Sequence, residues 1–457
     1  MITGLRIQNF KSWKDTGQLR LGALTGIFGT NSSGKTALLQ MLLLQKQTVE
    51  SYDRLQVLNT GDQKTYVDVG TFYDFIHRHQ IPNELCFSID WQFPVPTGLI
   101  LYFPTRKVAE RFSIEETPGV HFDNVVAGNN KEVVLKEFNY SFTANGTEYA
   151  FGMQRKARIT SKDRLRYNVF STGYKLSPDD DFKRMLSDRF TNDEQILWQP
   201  VKNYGFPDYV NLLFRDPTRF LEELAALFET VFRNIYYLGP LREYPHNYYS
   251  WSGERTQDVG QRGERAIPAL LAAGTPTQTA VANWLKKLGL IHSFKLQPLD
   301  KNRKSYEVKV QIQPDGPEVL LTSVGFGISQ ILPVLALCYC VPEGATVLLE
   351  QSEIHLHPAV QAGLSDVFIE VIQQRKLQII LESYSEHLLR RLQRRVAEKQ
   401  LSSEQAALYF CYSNHEGVSE MTALEMDQAG NISNWPDNFF GDELGDLIAM
   451  TLAEVGV

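Results

Sequence analysis

The chain has 457 residues, 43 % hydrophobic and 22 % charged, and its 46 basic against 53 acidic residues leave a net charge of −7. That composition describes a globular protein of two or three domains and excludes both intrinsic disorder and a strongly basic nucleic-acid coat, though not a local basic patch. The four cysteines, Cys86, Cys338, Cys340 and Cys411, form no C-x-x-C pair, so a disulfide scaffold or zinc ribbon is not expected and a reducing cytoplasm is.

The opening MITGLRIQNF lacks the apolar core of a signal peptide. LRIQNF alternates as a strand does, and LGALTGIF runs as a second strand into a Gly-rich turn. Thr36 to Gln47, TALLQMLLLQKQ, predicts an apolar helix without a breaker. Residues 84–170 read as strands separated by Gly, Pro and Asn-Gly turns, hence an antiparallel sheet. Near Pro178 the spacing becomes helical: DDDFKRMLSDRF, DPTRFLEELAALFETVFRNIYYL, ERAIPALLAA and TAVANWLKKLGL all predict helix. Strands then return as SYEVKVQIQ, EVLLTS, ATVLLE and LQIILES, the later ones alternating with helices as in a parallel sheet. The longest apolar run, 331–341, is broken by Pro333 and is too short to span a bilayer, so no membrane partner is expected. The predicted class is α/β with a mixed sheet and an antiparallel β-subdomain. Its parts are an N-terminal lobe at 1–170, a helical insertion at 171–290 and a C-terminal lobe at 291–457.

Gly29-Thr30-Asn31-Ser32-Ser33-Gly34-Lys35-Thr36 fits the phosphate-loop pattern G-x-x-x-x-G-K-[ST] between a strand and a helix. The glycines let backbone N–H groups curl around phosphate oxygens, and the helix N-terminus adds positive potential. Lys35 is then expected to reach the β- and γ-phosphates of ATP, and the Thr36 hydroxyl to ligate Mg²⁺. Such a loop needs a carboxylate at the end of a neighbouring strand, and ATVLLE offers Glu350.

The residues that follow, Gln351-Ser352-Glu353-Ile354-His355-Leu356-His357-Pro358, resemble the E-x-P-E-x-H-L-H-P segment of ABC-type ATPases of the RecF, SMC and overcoming-lysogenization-defect group. Ser323-Val324-Gly325-Phe326-Gly327-Ile328-Ser329-Gln330 is similar to the ABC signature loop of that group, and Leu381 to His387 is similar to its switch-histidine segment. Tyr237 to Arg242 (YLGPLR), Val259 to Glu264 and Asn434 to Asp442 resemble one subfamily, common as ATPase subunits of bacterial anti-phage systems beside a small nuclease or toxin. The resemblance implies an ABC-type P-loop fold and a homodimer sandwiching two ATPs. The phosphate loop of one copy then faces Gly325 and Gly327, with Ser323 or Ser329, of the other. It also implies a separate effector protein as partner.

The sequence departs from that pattern at the hydrolysis residues. Glu350 stands where Asp is usual, Gln351 where the water-polarising Glu is usual, Ser352 for Pro, Tyr384 at the switch-histidine position and Ser323 for Asp. Gln351 can orient water but not accept its proton, so tight binding with slow turnover is expected; Glu353 is the alternative base. His355 and His357 have no further ligand at metal spacing. Two basic runs, Arg155–Arg166 (+5) and Arg390–Lys399 (+4), read as solvated faces or as contacts to DNA, RNA or an acidic partner. Between Glu420 and Asp446 lie seven acids, Glu420, Glu425, Asp427, Asp437, Asp442, Glu443 and Asp446, without a Lys or Arg, at no nuclease spacing. The alternative reading is a RecF/SMC-like repair ATPase acting on DNA directly; no long heptad coiled coil supports an SMC-type tether.

Overall fold

The structure, a computed structural model, describes residues 1–92, 99–103, 108–112, 119–130, 132–144, 146–156, 167–174, 199–208, 210, 219–300, 304–436, 439, 449–451 and 453. Within Arg155–Arg166, residues 157–166 lie outside them, as do the predicted helix at 179–190 and the acids Asp437, Asp442, Glu443 and Asp446. The described residues form two compact units. The first comprises 1–21, 36–235 and 415–419, and the second 22–35, 236–414 and 420–457.

The first unit is built on an eight-stranded sheet. Its strands Leu85–Trp91, Val120–Gly128, Val133–Ala144, Thr147–Arg155 and Tyr167–Thr172 pair antiparallel in succession. Val120–Gly128 buries every second residue over most of its length, the mark of a sheet with one covered face. The cover is the helix Phe220–Arg233, whose buried Phe220, Leu221, Leu224, Phe228 and Phe232 make one stripe. Phe228 stacks into the sheet aromatics, 4.6 Å from Phe122 and 6.2 Å from Tyr140. The helix ends at Arg233, short of the reach the sequence predicts. Ile235–Leu238 is instead a strand, because the aromatic and β-branched IYYL fits a pleated surface better than a helix.

The second unit is built on a six-stranded sheet in the order Ile235–Leu238, Thr346–Glu350, Gln378–Glu382, Leu24–Gly29, Ala406–Ser413, Ser419–Ala423. The four central strands run parallel. Thr346–Glu350 and Gln378–Glu382 are buried at every position, as strands covered on both faces must be. The helices Phe326–Cys340, Pro358–Arg375 and Glu386–Ala397 bury Leu335, Leu364, Leu388 and their neighbours in the same core as Leu24, Phe28, Val347 and Ile379. A smaller antiparallel sheet, Tyr249–Ser250, Ser293–Pro298, Ser305–Gln311 and Glu318–Leu320, belongs to this unit too. The fold is therefore α/β, with mixed sheets. The stretch 171–290 contains the helices Phe220–Arg233, Ala266–Ala273 and Thr275–Lys287, and it also supplies the edge strand of the parallel sheet.

Candidate active site

Parallel strands present their C-terminal ends along one edge, and ligands of open α/β sheets bind there. The register aligns Ile27 with Glu382 and Glu382 with Glu350. The phosphate loop and two buried carboxylates thus share one edge of one sheet.

The loop leaves Gly29 at φ +140°. A Cβ at that position would lie 2.0 Å from the Cys411 carbonyl oxygen, so only glycine fits against the neighbouring strand. Gly34 at φ +86° closes the turn, and Ser32 is itself left-handed at +58°. Asn31 and Ser32 are exposed, whereas Ser33 is buried and its hydroxyl donates to the Thr30 carbonyl at 2.8 Å. The helix Lys35–Glu50 starts at Lys35, with Thr36 next. The Lys35 ammonium is buried. It donates to the carbonyls of Thr30 (2.6 Å) and Gly29 (3.2 Å) and lies 4.2 Å from the Tyr384 ring centroid. Burial lowers its pKa, opposed by the nearby Glu382.

Glu350 accepts a 3.0 Å hydrogen bond from the Tyr237 hydroxyl, a phenol that burial holds well above its usual pKa. Arg242 places Nη1 3.5 Å from the Glu350 backbone oxygen. Gln351 takes a left-handed φ of +46° and donates its N–H to the Glu382 carbonyl at 2.9 Å. Glu353 is buried. Its Oε1 accepts from the Ser383 hydroxyl (2.7 Å) and the Tyr384 N–H (2.8 Å), while Oε2 has no partner. Burial raises the Glu353 pKa despite those two hydrogen bonds. Sequence reading gave no role to Tyr237, Arg242 or Glu382; only the YLGPLR and switch-segment resemblances touched them.

The signature segment is separated by its exposure. Ser323 ends the short turn Leu321–Ser323 and is exposed; Gly325 precedes the helix Phe326–Cys340 and is also exposed. A Cβ on Gly325 would meet nothing within 4 Å, and one on Gly327 only ordinary contacts at 3.8 Å and beyond. Ser329 is buried, and its hydroxyl donates to the Phe326 carbonyl at 2.6 Å. Of the two serines named from sequence, Ser323 is the one presented outward. Phe326, half-exposed, packs edgewise on His355 at 5.3 Å and beside Tyr244 at 5.4 Å.

His357 caps the helix Pro358–Arg375, its Nδ1 accepting from the Ala359 N–H at 3.3 Å. Among the described residues no group of three His, Cys, Asp or Glu side chains is placed to hold a metal ion by itself. The arginines of the second basic run are paired within the protein. Arg391 and Arg395 bind Asp366 at 2.7 and 2.6 Å, Arg394 and Arg395 bind Glu398, and Arg390 binds Glu386 while lying 4.5 Å from the Trp435 ring. In the acidic tail, Glu425 accepts from the Ser433 hydroxyl and Asp427 from the Ala429 and Asn431 N–H groups, which is turn chemistry.

Residues 257–389 match the family described as AAA ATPase domain, and residues 401–449 match a protein family of unknown function, DUF3696. No curated protein matches the chain. Among solved structures it is similar to the SMC head domain from Thermotoga maritima, with 10 % identity over 93 % of this chain and 99 % of that one and a TM-score of 0.38. It is also similar to an SMC head bound to the C-winged helix domain of ScpA, with 13 % identity, 94 % and 98 % coverage and a TM-score of 0.40. A Pyrococcus furiosus SMC head domain with an extended coiled coil gives 12 % identity, 94 % and 97 % coverage and a TM-score of 0.40. No helix among the described residues is long and apolar enough to cross a membrane.

Proposed function

We propose that this chain is an ABC-type ATPase in which two copies close on two ATP molecules, and that the nucleotide state of the dimer holds or releases a separate effector in an anti-phage system. The observation that carries the ATPase reading is the common sheet edge of Gly29–Lys35, Glu350 and Glu382, in a chain whose residues 257–389 match an AAA ATPase domain. The loop suits a nucleotide phosphate: Gly29 and Gly34 turn the backbone through positive φ, and the buried Lys35 ammonium is held by the loop's own carbonyls. Mg²⁺ would be held through the Thr36 hydroxyl and Glu350, and it supplies neutralisation of developing phosphate charge.

The chain's own residues divide the remaining work. Lys35 exchanges its hydrogen bonds to Thr30 and Gly29 for phosphate oxygens. Gln351 orients the attacking water with its amide. Glu353 takes the water proton on Oε2, the oxygen that no neighbour occupies, and its raised pKa makes it a better base than an ordinary carboxylate. Tyr384 screens Lys35 from solvent. Ser323, Gly325 and Gly327, turned outward, meet the nucleotide of the second copy. The four thiols are unpaired, which supports a reducing cytoplasm.

Sedimentation velocity tests the assembly. ATP with Mg²⁺ is expected to move the Glu353→Gln variant, whose hydrolysis is expected to be slow, from monomer to dimer, and ADP is expected not to. An ATP-independent sedimentation coefficient overturns the sandwich.

A further inference from the structure

The YLGPLR segment carries two buried polar side chains that the proposed chemistry does not use. Tyr237 lies in the edge strand next to Thr346–Glu350 and ties one carboxylate oxygen of Glu350 at 3.0 Å. Arg242 is 6 % exposed. Its Nη1 reaches the Glu350 backbone oxygen at 3.5 Å, and its Nε and Nη2 are buried without a partner. Burial lowers the Arg242 pKa, opposed by the nearby Glu353 and Glu350. The unpartnered Oε2 of Glu353 and hydroxyl of Ser352 lie on the adjoining turn.

A buried guanidinium with unfilled donors is costly unless its charge offsets carboxylates nearby. Glu350, Glu353 and Glu382 are all buried at this sheet edge, against the single ammonium of Lys35. Arg242 supplies the second positive charge. It supplies that charge without capping the Glu353 oxygen that must stay free.

We infer that Tyr237 and Arg242 are positioning residues of the ATP site, Tyr237 fixing the orientation of the Glu350 carboxylate through its hydroxyl and Arg242 holding, through the Glu350 carbonyl, the turn that carries Glu350 and Glu353. This rests on the ATPase reading of Glu350 and Glu353. A neutral donor on one oxygen of a carboxylate fixes the plane of the group without neutralising its charge. Outer partners of this kind tune a metal site by orienting its ligands.

The test uses the full chain and calorimetric ATP binding in EDTA and across a Mg²⁺ titration, with kcat and KM alongside. Tyr237→Phe keeps the ring and removes the hydroxyl. It is expected to bind ATP in EDTA as the wild type does and to need ~10-fold more Mg²⁺ for tight binding. Arg242→Met is expected to keep the ATP Kd within about twofold and lose ~10²-fold in kcat, with Arg242→Lys recovering most of the loss. A Tyr237→Phe titration that superimposes on wild type overturns the inference, as does loss of ATP affinity in EDTA. An Arg242→Lys variant no better than Arg242→Met reduces Arg242 to a fold residue and overturns its part. Wild-type chain that fails to bind ATP, or a Lys35→Ala chain that binds it unchanged, overturns the ATPase reading itself.

Discussion

Lys35 shows how a single residue can be assigned from its surroundings. Its ammonium is buried among loop carbonyls and an aromatic ring, with no direct ion pair to a carboxylate. A buried cation so held is available to an incoming anion at modest rearrangement. Lys35→Ala should lower ATP affinity by ~30-fold or more, the worth of hydrogen bonds to a charged group, while the thermal melt stays cooperative. Unchanged calorimetric affinity would remove the phosphate-loop assignment. The base is settled at the same scale by steady-state rates of two variants. Glu353→Gln should lose ~10²–10⁴-fold, the contribution of a positioned base. Gln351→Glu should lower the rate severalfold, since it removes the amide that orients the attacking water. A large gain for Gln351→Glu would instead identify position 351 as the missing base and the wild type as a slow clamp.

Among the elements, the antiparallel sheet carries a charge clamp that its pairing makes possible. Asp90 and His121 are directly opposed on neighbouring strands, and Asp123 lies two residues along the same face. The His121 ring bonds Asp90 at 2.5 Å and Asp123 at 3.0 Å. The Asp123 hydrogen bond, then that to Asp90, raises its pKa to about 10. A group whose folded pKa is raised stabilises fully below its unfolded value, near 6.5, and loses that contribution as pH climbs through the folded value. Stability should therefore decline between pH 6.5 and 10 in wild type, and less steeply in His121→Gln; urea midpoints across that window check it. Parallel slopes for the two proteins would show that the clamp is energetically silent. A second device is Lys202, whose buried ammonium donates to the Val49 and Ser51 carbonyls at 2.8 Å each, closing the C-terminal end of the helix that begins with Lys35.

For the molecule as a whole, the question is whether the chain acts on nucleic acid or through another protein. Arginines 390, 391, 394 and 395 of the second basic run are all ion-paired within the protein. Among the described residues no carboxylate cluster makes a nuclease metal site. Purified chain with Mg²⁺ or Mn²⁺ and supercoiled plasmid should leave the DNA intact on an agarose gel. Nicking that persists through further purification and disappears with an active-site substitution would locate an activity in this chain.

The strand–turn–helix at Gly29–Thr36 was legible because it is local: eight consecutive residues contain the glycines, the lysine and the helix start. The parallel strands were legible for a related reason, since a strand covered on both faces has an apolar middle, and Val347–Leu349 and Ile379–Leu381 supply it. The strand Ile235–Leu238 was hidden because its four residues continue a helical spacing, and only a free sheet edge decides between the two. The partners of Glu350 and the Arg390–Arg395 run were not legible. Tyr237 lies 113 residues from Glu350 and Arg242 lies 108, and Asp366 lies 29 from Arg395. Contacts across such separations leave no periodicity in the chain. Sequence alone thus determined where the glycine turn leads from strand into helix, because that depends on neighbouring φ angles and one helix end. Tertiary structure alone decided which charges are buried together and which serine faces outward, because burial is a property of the assembled sheet and not of any segment in it.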